Sequence, residues 1–458
     1  TRWVWLFLGM FLLGLVACQA ADGDGPTPTP PAAVTGDSTP IDPTTPATES
    51  ATQPLPTDSS DAVQVADVRL FEDVAGELAV VGVVRNSSGA AVAGIQLALT
   101  FYGADDTQLL RVDGVPLHLD RVPAGGESPF SYMVFERLDA SRVEAEVTDY
   151  AAANGSQLPV EIRGLAMRLD DFGDAYCTGE LVNPSELSAQ VQAVSAQVLD
   201  GAGQLLGAAP AEAWLRVLAP GQAAPFRATV NVLPVGSQAR QCAVLVDSRV
   251  FDDVPSQAEV ALPINAGPVY RDALNGVHVL GEVSNSSEAT WQVQVLAGLY
   301  DSEGNVLDAM PYGLPLPYLA GGFSHPIDVT FTSVASYSES VGSQIAAVVL
   351  LIDPLLSRLS TRPAPTALEI SADLFEQSGL SWTFSGQALN PANSTLTNVV
   401  AFVQVRDASG QLSAYAASTT GQSVLPGGEV SFTIFMWQPA GLQAGAIDYA
   451  IQVLGYEN

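Results

Sequence analysis

In residues 96–101 (QLALTF) and 292–296 (QVQVL), apolar side chains fall at every second position. That period puts one face of an extended strand into a core and leaves the other outside it. Similar apolar runs recur along most of the chain between clusters of Gly, Pro, Asn and Asp, which predicts many strands and tight turns rather than long helices. A few short helical turns are expected, for example over residues 354–360 (PLLSRLS).

The runs are related to one another, because the same landmarks return in the same order four times, about 100 residues apart. The first is a strand ending in Gly-x-x-x-Asn: Gly82 to Asn86, Gly179 to Asn183, Gly281 to Asn285 and Gly386 to Asn390. Small polar residues follow each Asn, as where a strand hands over to a turn and the Asn side chain bonds nearby backbone. The second landmark is a strand running into a tight hairpin, with Asp200/Gly203, Asp301/Gly304 and Asp407/Gly410 three apart. Asp caps such a turn and Gly takes positive φ at its end. The first copy has Gly103 and Asp106 there instead, so a differently built hairpin is expected in it. The third landmark is a Pro/Gly turn before a strand whose first large residue points inward: Phe130, Phe226, Ile327 and Phe432. A last apolar strand closes each unit, as in VEAEVTDY and CAVLVDSRV.

The expected architecture is therefore all-β, with four tandem immunoglobulin-like or fibronectin-like β-sandwiches at residues 62–156, 157–262, 263–364 and 365–458. These landmarks resemble the FxLyD-type immunoglobulin-like domains of bacterial envelope proteins, the third copy most nearly, with Leu299-Tyr300-Asp301 leading into Gly304. The resemblance implies an extracytoplasmic, non-enzymatic β-sandwich and brings no catalytic residues to transfer. Tyr102 and Tyr300 accordingly read as packing residues rather than a binding platform.

Ahead of the repeats, residues 22–61 are Pro, Thr, Ser, Asp and Gly with hardly a large apolar side chain. Such a stretch buries too little surface to offset the entropy of ordering and is expected to stay disordered. At about 3.1 Å per residue it reaches roughly 120 Å at most. Residues 3–17 (WVWLFLGMFLLGLVA) form an apolar run behind Arg2 that suits a signal-peptide core better than a spanning helix of about 20 residues. The run ends Leu15-Val16-Ala17-Cys18, which resembles the lipobox of bacterial lipoproteins. That resemblance implies cleavage after residues 1–17 and acylation of Cys18, with several acyl chains giving a stable membrane anchor.

With Cys18 set aside, Cys177 and Cys242 remain, both in the second repeat and both in predicted strands, and outside the cytoplasm the pair reads as a disulfide.

Composition narrows function mainly by exclusion. The 458 residues carry a net charge of −32, and all 17 basic residues are Arg. No positive stripe is available for nucleic acid, and without Lys there is no Schiff-base or P-loop chemistry. His118, His278 and His325 stand apart without a second His three or four residues away, so no zinc site is predicted. Neither a Gly-x-Ser-x-Gly elbow nor Cys-x-x-Cys occurs. The acidic strings at residues 170–174 (DDFGD) and 252–253 read as solvated turns before calcium ligands, and the early DGDG lacks the further ligands of an EF-hand. Asn86, Asn154, Asn285 and Asn393 head glycosylation-like triplets that read as turns. No cofactor is expected, and catalytic residues are none. Partners are the membrane through the lipid anchor and a protein or cell-wall component. The functional expectation is a lipid-anchored, extracytoplasmic, non-catalytic binding or spacer scaffold. An accessory subunit of an envelope transport or secretion complex is the alternative, ahead of a hydrolase or carbohydrate-active enzyme.

Overall fold

The structure, a computed structural model, describes residues 62–170, 172–251, 261–331, 344–443 and 447–457, all within the compact unit Leu55–Asn458. The signal-like run, Cys18, the tether, Asp171 and residues 252–253 lie outside the described residues. The described elements are strands. Repeat 1 holds β1 (Val63–Glu72), β2 (Leu78–Asn86), β3 (Val92–Tyr102), β4 (Gln108–Val115), β5 (Arg121–Val122), β6 (Glu127–Val134) and β7 (Arg142–Ala152). Repeat 2 holds β8 (Glu161–Leu169), β9 (Ala175–Val182), β10 (Ala189–Leu199), β11 (Leu205–Pro210), β12 (Val217–Leu218), β13 (Ala223–Val230) and β14 (Gln241–Val250). Repeat 3 holds β15 (Ile264–Arg271), β16 (Val277–Ser284), β17 (Thr290–Tyr300), β18 (Val306–Leu319), β19 (Ser324–Phe331), β20 (Ala347–Ile352) and β21 (Arg358–Ser360). Repeat 4 holds β22 (Thr366–Ala367), β23 (Glu369–Ser378), β24 (Ser381–Leu389), β25 (Leu396–Arg406), β26 (Leu412–Thr419), β27 (Glu429–Trp437) and β28 (Asp448–Glu457).

Each repeat is two antiparallel sheets. The first sheet has the order β1-β2-β6, β8-β9-β13, β15-β16-β19 or β23-β24-β27. The second is built on β3, β10, β17 or β25, with a hairpin partner on one side and the closing strand on the other. Four apolar cores fill the sandwiches, with Phe130, Phe226, Ile327 and Phe432 buried in them. The expected helical turn at residues 354–360 is one turn whose N–H groups at Leu355 and Leu356 donate to Asp353, followed directly by β21.

The landmarks are the joinery of this fold. Each Gly of Gly-x-x-x-Asn pairs across the ladder with the buried large residue of the third landmark: Gly82 with Phe130, Gly179 with Phe226, Gly281 with Ile327, Gly386 with Phe432. A Cβ on Gly82 or Gly386 would come within 2.6 Å of the facing Phe ring, so only glycine lets the aromatic lie across the strand. Each Asn four residues on is buried. Its Nδ2 donates to the third-landmark turn further along the chain: Asn86 to Val122 O and Pro123 O, Asn183 to Leu218 O and Ala219 O, Asn285 to Leu319 O, Asn390 to Val424 O. Its Oδ1 accepts the N–H two residues along, from Ser88, Ser185, Ser287 or Ala392. One side chain thus ties the end of a first-sheet strand to the turn that opens its ladder partner, at about 1 kcal/mol net per bond.

The hairpins share one loop. Asp200 Oδ1 accepts the N–H groups of Ala202 and Gln204, and Gly203 sits at φ 79°. Repeat 1 keeps the same backbone bonds with the residues exchanged: Gly103 N–H donates to Thr107 O, Asp106 N–H donates to Gly103 O, and Asp106 itself takes φ 60°. The hairpin expected to differ is therefore the same turn with its left-handed residue an aspartate, a residue type that tolerates that region. Cys177 on β9 and Cys242 on β14 are joined by a disulfide, with Cα atoms 6.2 Å apart, which ties the first sheet of repeat 2 to its second.

Candidate functional site

Strand alternation turns the residue after each buried third-landmark side chain outward, and these residues are Ser131, Arg227, Asp328 and Thr433. In repeats 1 to 3 that outer face is covered by the second sheet of the following repeat. Val81 and Val83 pack on Leu205 and Ala208 at the first junction. Leu296 and Ala309 of repeat 3 join the core cluster of repeat 2 at the second. Leu280 and Leu316 meet Val400, Phe402 and Tyr415 at the third.

Each junction carries its own polar key. At the first, Ser131 and Ser195 bracket His118, at 3.0 Å from Nε2 and 2.9 Å from Nδ1. Burial lowers the His118 pKa to about 4, so its ring is neutral. At the second, Arg227 donates to Asp308 at 3.0 Å, the pair being 9% and 1% exposed, and Tyr300 Oη donates to Glu180. At the third, Tyr456 Oη of repeat 4 donates to Tyr318 O of repeat 3, while Asp328 and His278 pair within repeat 3 beside it. Short backbone clips repeat as well: Asp73 bridges Pro234, and Asp272 bridges Pro439.

The third junction is incompletely closed, leaving a cleft of about 420 Å³ between repeats 3 and 4. Its floor is a cluster of ionisable groups. His278 Nδ1 lies 2.9 Å from Asp328 and Nε2 lies 3.3 Å from Asp272. Tyr270 Oη donates to the second oxygen of Asp328 at 2.6 Å and its ring stacks on His278 at 4.5 Å. Asp272 is also a hairpin cap, with Oδ1 accepting the N–H groups of Leu274 and Gly276. Burial alone would lower His278, but the hydrogen bonds and charges of Asp328 and Asp272 outweigh it and raise its pKa, which favours imidazolium donating to both carboxylates. Burial beside Asp328 raises Tyr270 far above the ordinary tyrosine range.

The aromatic walls are Tyr312 and Tyr415, and the rim carries Leu274, Phe435 and Trp437, exposed by 50%, 52% and 38%. Tyr415 is 4% exposed and its hydroxyl has no hydrogen-bond partner. Every carboxylate oxygen and both imidazole nitrogens in the cluster have partners within it or in adjacent backbone. The arrangement suits holding a ligand better than attacking one.

Of the residues singled out in the sequence, the structure brings His278 into this cleft. His325 instead packs edge-on against Phe402 and Tyr415 with Nδ1 bonded to Pro326 O, and His118 lies at the first junction. No group of three or more His, Cys, Asp or Glu placed to hold a metal ion lies among the described residues. Asp170 caps a hairpin through the N–H groups of Phe172 and Asp174. Asn86 and Asn285 are buried ties, which leaves no room for a glycan on either side chain. Tyr102 is half-buried beneath Arg142, and Tyr300 is a junction residue. Tyr270, Asp272, Asp328 and Tyr415 were missed. The available signal was the outward position beside each landmark, where strand alternation puts His278 and Asp328 on one outer face.

No protein-family model matches the chain, and no curated protein matches it. Among solved structures, one similar chain is red sea bream transglutaminase, at 15% identity over 42% of this chain and 28% of that one, with a TM-score of 0.14. Another is the native conformation of the E. coli alpha-2-macroglobulin, at 9% identity over 84% of this chain and 28% of that one, with a TM-score of 0.13. The chain spans 28% of the length of each.

Proposed function

We propose that this protein is a non-catalytic binding scaffold of a bacterial cell envelope, held at a membrane by a lipidated Cys18 and a Pro/Thr-rich tether. The observation that carries the reading is the state of the cleft: its acids, its histidine and Tyr270 are committed to one another, so recognition is supported and proton transfer or nucleophilic attack is not. Docked sandwiches with different keys at each junction support a scaffold that keeps the cleft in fixed surroundings. The lipobox-like Leu15-Val16-Ala17-Cys18 supports the anchor.

The test combines address and partner. Cys18→Ala is expected to move the protein from the detergent phase to the aqueous phase in a partition assay, and unchanged partitioning would overturn the lipid anchor. Crosslinking in intact cells is expected to capture a discrete partner. Turnover of a substrate that is lost on Asp328→Asn but kept by the parent chain would overturn the non-catalytic reading.

A further inference from the structure

Four properties of the cleft between repeats 3 and 4 point to the charge and shape of what it holds. Its floor contains two carboxylates, Asp272 and Asp328, against one basic group, His278, and neither Arg nor Lys lines it. The site therefore keeps a surplus negative charge even with His278 protonated, in surroundings where charge is poorly screened. Its walls and rim are aromatic faces, which attract cations through the ring quadrupole.

The third property is Tyr415. It lines the cleft and is 4% exposed, and its buried hydroxyl has no hydrogen-bond partner and lies within the electrostatic reach of Tyr312 and Asp328. Leaving a buried hydroxyl unmet is costly, and the cost is relieved when a ligand donor reaches it. Fourth, the exposed Leu274, Phe435 and Trp437 form an apolar approach to a polar floor. That sequence of surfaces suits a molecule with an apolar stem and a donor-rich positive tip.

We propose that this cleft binds the cationic tip of an extended alkyl chain, an alkylammonium or alkylguanidinium, carried either by a free diamine or by a Lys or Arg side chain of a partner protein. The tip donates to the free lone pairs of Asp328 and Asp272 and to Tyr415 Oη, while the stem lies against Phe435 and Trp437. This rests on the binding-scaffold reading and names the ligand class of its site.

The test is calorimetric titration of the full-length protein in detergent with 1,5-pentanediamine, agmatine, blocked lysine amide and 1,5-pentanediol. The charged probes are expected to bind and the diol is not. A preference for the free diamines assigns a small-molecule source, and a preference for the blocked amino acid assigns a protein side chain. Raising salt from about 50 mM to about 500 mM weakens a charge-driven complex.

Tyr415→Phe, which removes one oxygen, is expected to weaken binding about tenfold while raising the thermal midpoint of the empty protein. A merely structural hydroxyl would lower both or neither. Trp437→Ala, on the exposed rim, is expected to weaken binding about threefold with an unchanged midpoint. Equal binding of the diol, absence of binding by all charged probes, or a lower midpoint for Tyr415→Phe would overturn the assignment. A crosslinked partner that persists in that event would leave the scaffold reading standing, so the two fail separately.

Discussion

At the scale of single residues, His118 and His278 face opposite demands. His118 is held neutral, with a folded pKa of about 4 against an unfolded value near 6.5. The unfolded chain therefore takes up a proton first as pH falls, and the first junction loses stability progressively between about pH 6.5 and pH 4, by roughly 3 kcal/mol in total. His278 is raised by its two aspartates, so its contribution is fully present below the unfolded value and fades as pH rises through the folded one. Acidification from pH 7.5 to pH 5 is expected to lower amide-exchange protection factors, taken against the intrinsic rate at each pH, in β2 and β11 and to raise them in β16. Uniform behaviour at both junctions would contradict these assignments. The buried asparagines make an equally sharp case. Asn390→Ala removes two donated bonds and the acceptor of the Ala392 N–H, while Val424 O keeps the Leu396 N–H, and a loss of about 2–4 kcal/mol in denaturant unfolding is expected.

At the scale of elements, the exchanged hairpin of repeat 1 gives a direct comparison. Gly410 lies at φ 82° and Asp106 at φ 60° in equivalent turns. Gly410→Asp is expected to cost about 1 kcal/mol, whereas Asp106→Gly relieves strain and loses only an exposed ion pair with Arg142, shifting stability by about 0.5 kcal/mol or less. Thermal midpoints of the two variants decide it. The turns, the strands and their inward faces were legible in the sequence because each is set by neighbours within a few residues: Asp caps, glycine at positive φ, alternation of period two. The order of strands within each sheet was not read from the sequence and comes from the structure. What the pattern hid is the outward face. In β2 the run LAVVGVVRN is buried almost throughout, because Val80 and Val84 face the core while Val81 and Val83 face repeat 2. Alternation marks inside and outside of one sandwich, and partners a whole repeat away are not written in it. The same limit hid the cleft, whose groups come from residues 270 to 437.

At the scale of the whole molecule, stability is shared between sandwiches. Asp308→Ala leaves the buried Arg227 with Glu212, which is 47% exposed, and is expected to cost about 3–5 kcal/mol and to separate the unfolding of repeats 2 and 3 in calorimetry. Reduction of Cys177–Cys242 opens a 65-residue loop, with a loss of up to about 4 kcal/mol confined to repeat 2.

The unlike polar keys also freeze the copy number of this array. At the same offset from the hairpin aspartate, Asp308 of repeat 3 corresponds to Ala414 of repeat 4. A recombination that excised residues 263–364 would keep the reading frame and every sandwich intact, yet it would seat the Arg227 guanidinium over a methyl group. Similar modules are thereby an ordered set in which the third cannot be skipped without stranding a buried charge.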